Sequence, residues 1–287
     1  MELLQLILYT VAITMLLSLL SMGFGFTLRS VKFFNVSFTG SFLVGGYIMF
    51  LLYRIFLFPL IPSLVCSLII AGLYLAFAYI FIFSPLIRRK GNNLILVIAS
   101  FGLLIATMAT IGMLFGNQAT MIARHLSDIS TINIFGATLN IVQILAIIFV
   151  PIIVCIFALI RAKTRFGRAV RAIEDDREVA ELIGIPKEKI LTIIFFLSGI
   201  VAGIVGIIEG FDVGLNPSGG LVYILPAIVA SVVGGMKSFW GGILGAFILA
   251  IAQKLTVVYI GGTWEQAVPF VILIIILLVR PEGILKK

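Results

Sequence analysis

Apolar residues run along this chain in long unbroken stretches, separated at intervals by short polar turns. The stretches cover roughly residues 3–25, 36–57, 62–84, 93–115, 138–160, 190–210, 221–236, 240–259 and 264–280. A helix crosses the hydrocarbon layer of a membrane with about 20 mostly apolar residues, at about 1.5 Å of rise per residue. The runs are continuous rather than alternating, and a helix satisfies its backbone groups internally, so the pattern predicts helices and not a barrel. The expectation is an all-α, polytopic transmembrane helix bundle of about eight to nine spans, a single domain over 1–287. The pair 221–236 and 240–259 leaves the count open. The first run is short and Gly234-Gly235 separates the two, so one of them re-enters in the eight-span version.

Composition agrees with lipid as the solvent. The chain is 62% hydrophobic and 11% charged, with a mean hydropathy of +1.27. Soluble domains carry about 25% charged residues, and apolar surface in this excess drives association in water. The net charge of +8 would suit nucleic acid. In a membrane protein it reads instead as the basic bias of cytoplasmic loops, with no nucleic-acid partner. Cys66 and Cys155 lie inside apolar runs and imply no disulfide framework. The first residues lack a basic segment and a small-residue cleavage site, so they read as a retained span.

Lys and Arg set the expected orientation. Arg88-Arg89-Lys90, the block 161–189, and Arg280 with Lys286-Lys287 go to the cytoplasm, which places 54–61, 116–137, 211–220 and 260–264 outside. The N-terminus is then external, and the basic C-terminus favours nine spans. Glycines four apart, at Gly112/Gly116, Gly199/Gly203, Gly206/Gly210 and Gly241/Gly245, predict close helix approach.

One stretch breaks the apolar rule. Residues 161–189 hold 14 of the chain's 32 Lys, Arg, Asp and Glu residues. Within it, GRAVRAIEDDREVAELIGIPKEKI (167–190) is made of helix formers up to Ile183, then Gly184 and Pro186 stop the helix. Val170, Ile173, Ala180 and Ile183 are expected to share one side. A solvated loop, a helix lying on lipid headgroups, and a docking helix all compete for this stretch. The acidic residues Glu174, Asp175, Asp176, Glu178 and Glu181 oppose an anionic bilayer. Glu178-Val179-Ala180, three residues, then Gly184 follows the E-A-A-x-x-x-G spacing of the cytoplasmic loop in importer permeases driven by ATP-binding-cassette subunits.

The resemblance extends along most of the chain. Phe166 to Asp175 with Ala180, Gly184 and Ile185, Asn216-Pro217 followed by Val232 to Ser238, Gly241 to Ala246, and the ending Arg280 to Leu285 are similar to the branched-chain amino acid permease family of these importers. Phe34-Asn35-Val36-Ser37-Phe38-Thr39-Gly40 resembles that family's Asn-Phe-Ala-His-Gly segment, without its His. The resemblance implies a permease subunit that works with separate ATPase subunits, a second permease subunit (a related chain or a copy) and an extracytoplasmic solute-binding protein. It implies a docking loop carried by Arg168, Arg171, Glu174, Asp175, Glu178, Ala180 and Gly184. ATP would be bound by the partner, because the chain carries no G-x-x-x-x-G-K-[ST] cradle and no cofactor is expected in it.

Polar residues inside spans are the remaining candidates, since burying them costs free energy unless they are paired or wet. Asn35, Ser37 and Thr39 open the second span, and Asn216 and Ser218 precede the seventh. Ordinary helix capping accounts for both groups, and a solute path through interrupted helices is the alternative. Glu209 reads as solvated near its helix end. Gln253 and Lys254 read as an interfacial pair with Lys254 snorkelling. His125 is a lone external histidine beside Arg124 and Asp128, not a metal site, and no catalytic constellation is expected. Membrane lipid surrounds the whole. The solute expected from the resemblance is a branched-chain or related amino acid, with urea, short amides or simple sugars as alternatives. An ion-gradient transporter or a purely structural subunit are the rivals of other classes.

Overall fold

In the computed structural model of the chain, residues 2–124, 131–134, 137–236, 238–280 and 283–285 are described. Helix α1 runs Glu2–Val31, about 45 Å long, well past the end of its apolar run. The polar residues that closed the run in sequence are absorbed instead. Thr27 and Ser30 hydroxyls donate to the carbonyls of Phe24 and Phe26, and Arg29 enters an ion pair. Lys32, at φ 54°, then reverses the chain. Phe33 and Asn35 to Ser37 fold back into the core while Phe34 stays exposed, and α2 begins at Phe38 and runs to Ile55.

Next come α3 (Leu60–Arg88), α4 (Asn93–Phe115) and a hairpin, β1 (Thr131–Ile134) and β2 (Ala137–Asn140), paired antiparallel. Helix α5 (Ile141–Lys163) starts on a capping box: the Asn140 carboxamide accepts from its first turn while Gln143 accepts from the Asn140 N–H. Two short helices come after it, α6 (Arg165–Asp175) and α7 (Arg177–Leu182), then α8 (Lys187–Asp212), α9 (Gly220–Gly234), α10 (Gly241–Tyr259) and α11 (Val268–Val279). Among the described residues seven helices are long and apolar enough to cross a membrane, and α9 and α11 are shorter apolar ones. All of the expected runs are therefore helical.

Backbone approach holds the centre. A methyl group on Gly206 of α8 would collide with the Phe42 carbonyl of α2, and one on Gly45 would lie 2.6 Å from Gly203 Cα. Gly199 faces the Ala71 carbonyl of α3 at 2.6 Å by the same construction. Gly241 and Gly245 of α10 meet Gly234 and Ala230 of α9 in this way. The Gly112/Gly116 pair does not behave as expected. Gly112 faces only Asn117, and Gly116, at φ 81°, ends α4 with nothing within 4 Å.

Helix α9, at about 22 Å, is too short to cross alone. It starts inside the bundle, with Gly220 against Thr39 and Leu43 of α2. The chain reaches that depth after Leu215 pairs with Thr120. The C-terminal tail closes the other end of α9, where Ile284 and Leu285 N–H groups donate to the Val233 and Gly234 carbonyls.

Among the described residues, the contacts of charged side chains sort onto two ends. Arg29, Arg161, Glu174, Ser238, Arg88 and Glu188 interact at the basic end. At the opposite end Arg54 donates to the Met121 and Ala123 carbonyls, and Asn140 and Gln143 donate to Asp212. Two expectations fail there. Glu209 is buried, with the Tyr223 hydroxyl of α9 hydrogen-bonded to it. Lys254 is buried too: its Nζ lies 2.6 Å from Glu265 and 4.8 Å from the centre of the Tyr9 ring, so a partner replaces snorkelling.

Gly206→Ala is expected to destabilise the chain by about 1–3 kcal/mol through overpacking. Gly102→Ala, where nothing lies within 4 Å, is expected to be neutral or stabilising by up to about 1 kcal/mol. Thermal unfolding of the two purified variants in detergent compares them directly.

Candidate functional site

The charged stretch folds as two helices rather than the single rod expected from its composition. Thr164 caps α6, its hydroxyl accepting from the Gly167 N–H at 3.0 Å. Val170 and Ile173 point into the bundle and are fully buried, so α6 lies along α5, α1 and α8. At Asp176 the backbone becomes extended (φ −146°, ψ 118°). The Asp176 carboxylate accepts from the N–H groups of Glu178 and Val179 at 2.8 and 3.1 Å, which starts α7 afresh. Those two bonds hold the Asp176 carboxyl below its usual range. The break also changes the helical phase. Ala180 stays buried, but Ile183, expected on the same side, swings out to 69% exposure. Gly184 ends the element in the left-handed region at φ 85°, as its position predicts.

The two faces of this element differ sharply. Turned outward are Arg168, Asp175, Glu178 and Gly184, together with the apolar Val179, Leu182 and Ile183 at the tip. Turned inward are Ala180 and Glu174. Arg171 donates to the Arg161 carbonyl. The Glu174 carboxylate is bound by Arg161 at 2.6 Å and by Arg29 Nε at 3.4 Å. Arg177 is half-buried beside Tyr79, and burial lowers its guanidinium from the ordinary value. Arg29, and Phe239, whose ring lies under the Arg29 and Arg161 guanidiniums, were not legible as members of this group. Arg29 does carry a signal, a cation at the end of an apolar run, whereas nothing in the sequence marks Phe239.

A second set of residues lies between the helices. Asn35, Ser37 and Thr39 are all fully buried. Ser37 precedes α2 but makes no capping bond; its hydroxyl donates to Asn35 Oδ1 at 2.6 Å. The Val36 N–H donates to Ser100 Oγ at 3.2 Å. Asn35 Nδ2, Thr39 Oγ1 and Ser41 Oγ on this side, with Ser198 Oγ of α8 and Ser21 Oγ of α1, are buried with no partner among the described residues. Asn216 and Ser218 do not join them. Both are exposed, and Asn216 Oδ1 accepts from the Ser218 N–H at 3.0 Å in a local turn. Two residues further on the chain does reach this set, since Gly220 abuts Thr39.

At the basic end a cavity of about 780 Å³ opens between α1, α5 and α6, lined by Arg29, Lys32, Phe34, Arg161, Arg171 and Glu174 among others. Phe34 ties its wall to the buried Asn35. His125 and Asp128, considered as an external pair, lie outside the described residues.

Comparison with known proteins gives the same picture along the whole length. A family model described as "Branched-chain amino acid transport system / permease component" matches residues 6–277. The chain is 26% identical to the high-affinity branched-chain amino acid transport system permease protein LivH of Salmonella typhimurium, over 94% of this chain and 91% of that one. It is 28% identical to a probable branched-chain amino acid transport permease protein LivH of Methanocaldococcus jannaschii, over 94% of this chain and 88% of that one. Among solved structures, a chain of PsaBC from Streptococcus pneumoniae in complex with Fab shares the fold at a TM-score of 0.53 and 11% identity, over 95% of this chain and 91% of that one. With a family model spanning nearly every helix from α1 to α11, this chain belongs to the permease component family of branched-chain amino acid transport systems.

Proposed function

We propose that the chain forms one membrane-crossing half of an ATP-driven importer of branched-chain or related amino acids. In this reading the basic end faces the cytoplasm, and α6–α7 docks a separate ATPase subunit. A second permease subunit completes the channel, and an extracytoplasmic binding protein delivers the solute at the opposite end. The observation that carries the reading is the tip of α7. Leu182 is 85% exposed, with Val179 and Ile183 beside it, on an element whose other face is packed into the bundle and whose neighbours Glu178 and Glu181 are charged. An apolar patch rimmed by charge on a short, capped projection fits a protein groove.

The buried polar atoms support a solute path next to α2. Hydroxyls and one carboxamide, without a charge among them, line the middle of the bundle, which suits a small zwitterion better than a bare ion. Each orphaned group costs about 1–3 kcal/mol in the closed arrangement, a cost recovered when a polar solute or water reaches it. A gradient-driven carrier would place ionisable groups at that depth. In the described residues the ion pairs sit at the two ends instead.

Leu182→Asp and Val179→Asp are expected to strip the ATPase from the purified complex and abolish ATP-dependent uptake while the chain still folds, because both side chains are exposed. An ATPase that stays bound to both variants with uptake intact rules the docking face out. Asp176→Ala is expected to speed amide exchange across Arg177–Leu182. Because the folded carboxyl sits below its ordinary value of 3.8, the cap is complete above that pH and lost only as the pH falls beneath it. Thr39→Val removes a buried, unpartnered hydroxyl and is expected to raise thermal stability by about 1 kcal/mol while lowering uptake. Equal uptake in that variant removes Thr39 from the path.

A further inference from the structure

Glu174 is the point where the charged element grips the bundle, and its surroundings set it apart from the docking face. Its side chain is 8% exposed, and the two guanidiniums that bind it come from different helices: Arg161 from the end of α5, Arg29 from the end of α1. Arg161 is held twice, Nη1 to Oε1 at 2.8 Å and Nη2 to Oε2 at 2.6 Å. Arg29 reaches Oε1 at 3.4 Å through Nε and the Ser238 carbonyl at 3.3 Å through Nη1. Both guanidiniums also lie over the Phe239 ring, at 5.9 and 5.6 Å. Two like charges are thus kept side by side by one carboxylate. Without it, they repel and the ends of α1 and α5 separate.

The same two helices are joined again far away. Gln5, near the start of α1, exchanges hydrogen bonds with the backbone of Thr138 at 2.8 and 2.7 Å, next to the Asn140 cap of α5. Asn140 and Gln143 in turn hold Asp212 at the end of α8. Helices α1 and α5 are therefore pinned at both ends, with α6 attached to the near pin. A push on α6 moves both as a pair, and the displacement arrives at the hairpin and the end of α8 on the opposite side.

We infer that Glu174 is a positioning residue for energy coupling: it does not touch the ATPase, but it converts movement of α6 into joint movement of α1 and α5. This rests on the proposed docking of an ATPase by α6–α7. The test is made on the reconstituted complex of this chain with its ATPase, second permease subunit and binding protein, reading leucine transported per ATP hydrolysed. Glu174→Gln is expected to retain the ATPase and hydrolyse ATP within about twofold of the native complex, while transport per ATP falls about tenfold or more. Transport per ATP unchanged within about twofold overturns the inference. An ATPase lost from Glu174→Gln but kept by the native complex also overturns it, by assigning the residue to docking. An ATPase that does not purify even with the native chain brings down the docking reading, and this inference with it. Glu174→Asp guards against misfolding. Its shorter reach keeps the Arg161 bonds and gives up the longer one to Arg29, so an intermediate ratio is expected, and a native ratio overturns the inference.

Discussion

Helices surrounded by lipid have no hydrophobic reason to leave it for one another, so they stay together by fitting closely. The whole bundle depends on one such fit, the glycine face of α8 against α2 and α3. Gly199, Gly203 and Gly206 bring backbone to backbone at Ala71, Gly45 and Phe42, where a single added carbon has no room. Everything else is hung on that contact. Helix α2 stands at the centre because α8 allows it, and the turn that carries Asn35 is buried because α2 is. Gly245 and Gly234 repeat the device between α10 and α9, at the edge of the same core.

Close packing of this kind leaves little space for polar atoms, and their distribution is informative. Among the described residues, charged pairs are confined to the two ends. Between the ends lie Ser21, Asn35, Thr39, Ser41 and Ser198, with atoms that bond to nothing among the described residues. A bundle built only for stability would carry alanine or valine there. Leaving those polar atoms unmet is a standing cost to the stability of the bundle.

The spans were largely legible, because a run of apolar residues in lipid has one structural answer. Their ends were less so. Helix α1 continues to Val31 because Thr27 and Ser30 bond back to their own helix and Arg29 finds Glu174, none of which periodicity can reveal. The short hairpin went unseen, as did the depth at which α9 begins. Within the charged stretch, Gly184 announced its stop correctly, since glycine is the residue that accepts φ near 85° without strain. The break at Asp176 was hidden by good helix formers on both sides. An aspartate reads as an ordinary member of a charged run until its carboxylate is seen to cap the next helix. Glu174 and Glu178 look alike in sequence, four residues apart; the break between them sends one to the bundle and the other to solvent.

That break has a mechanical meaning of its own. A straight rod from Arg165 to Leu182 would carry Glu174 and Glu178 on one continuous spiral, facing the same way. One extended residue acts as an elbow instead: the upper arm, α6, is bolted to the bundle through Glu174, and the forearm, α7, is set at a new angle that buries Ala180 and turns Val179, Leu182 and Ile183 to solvent.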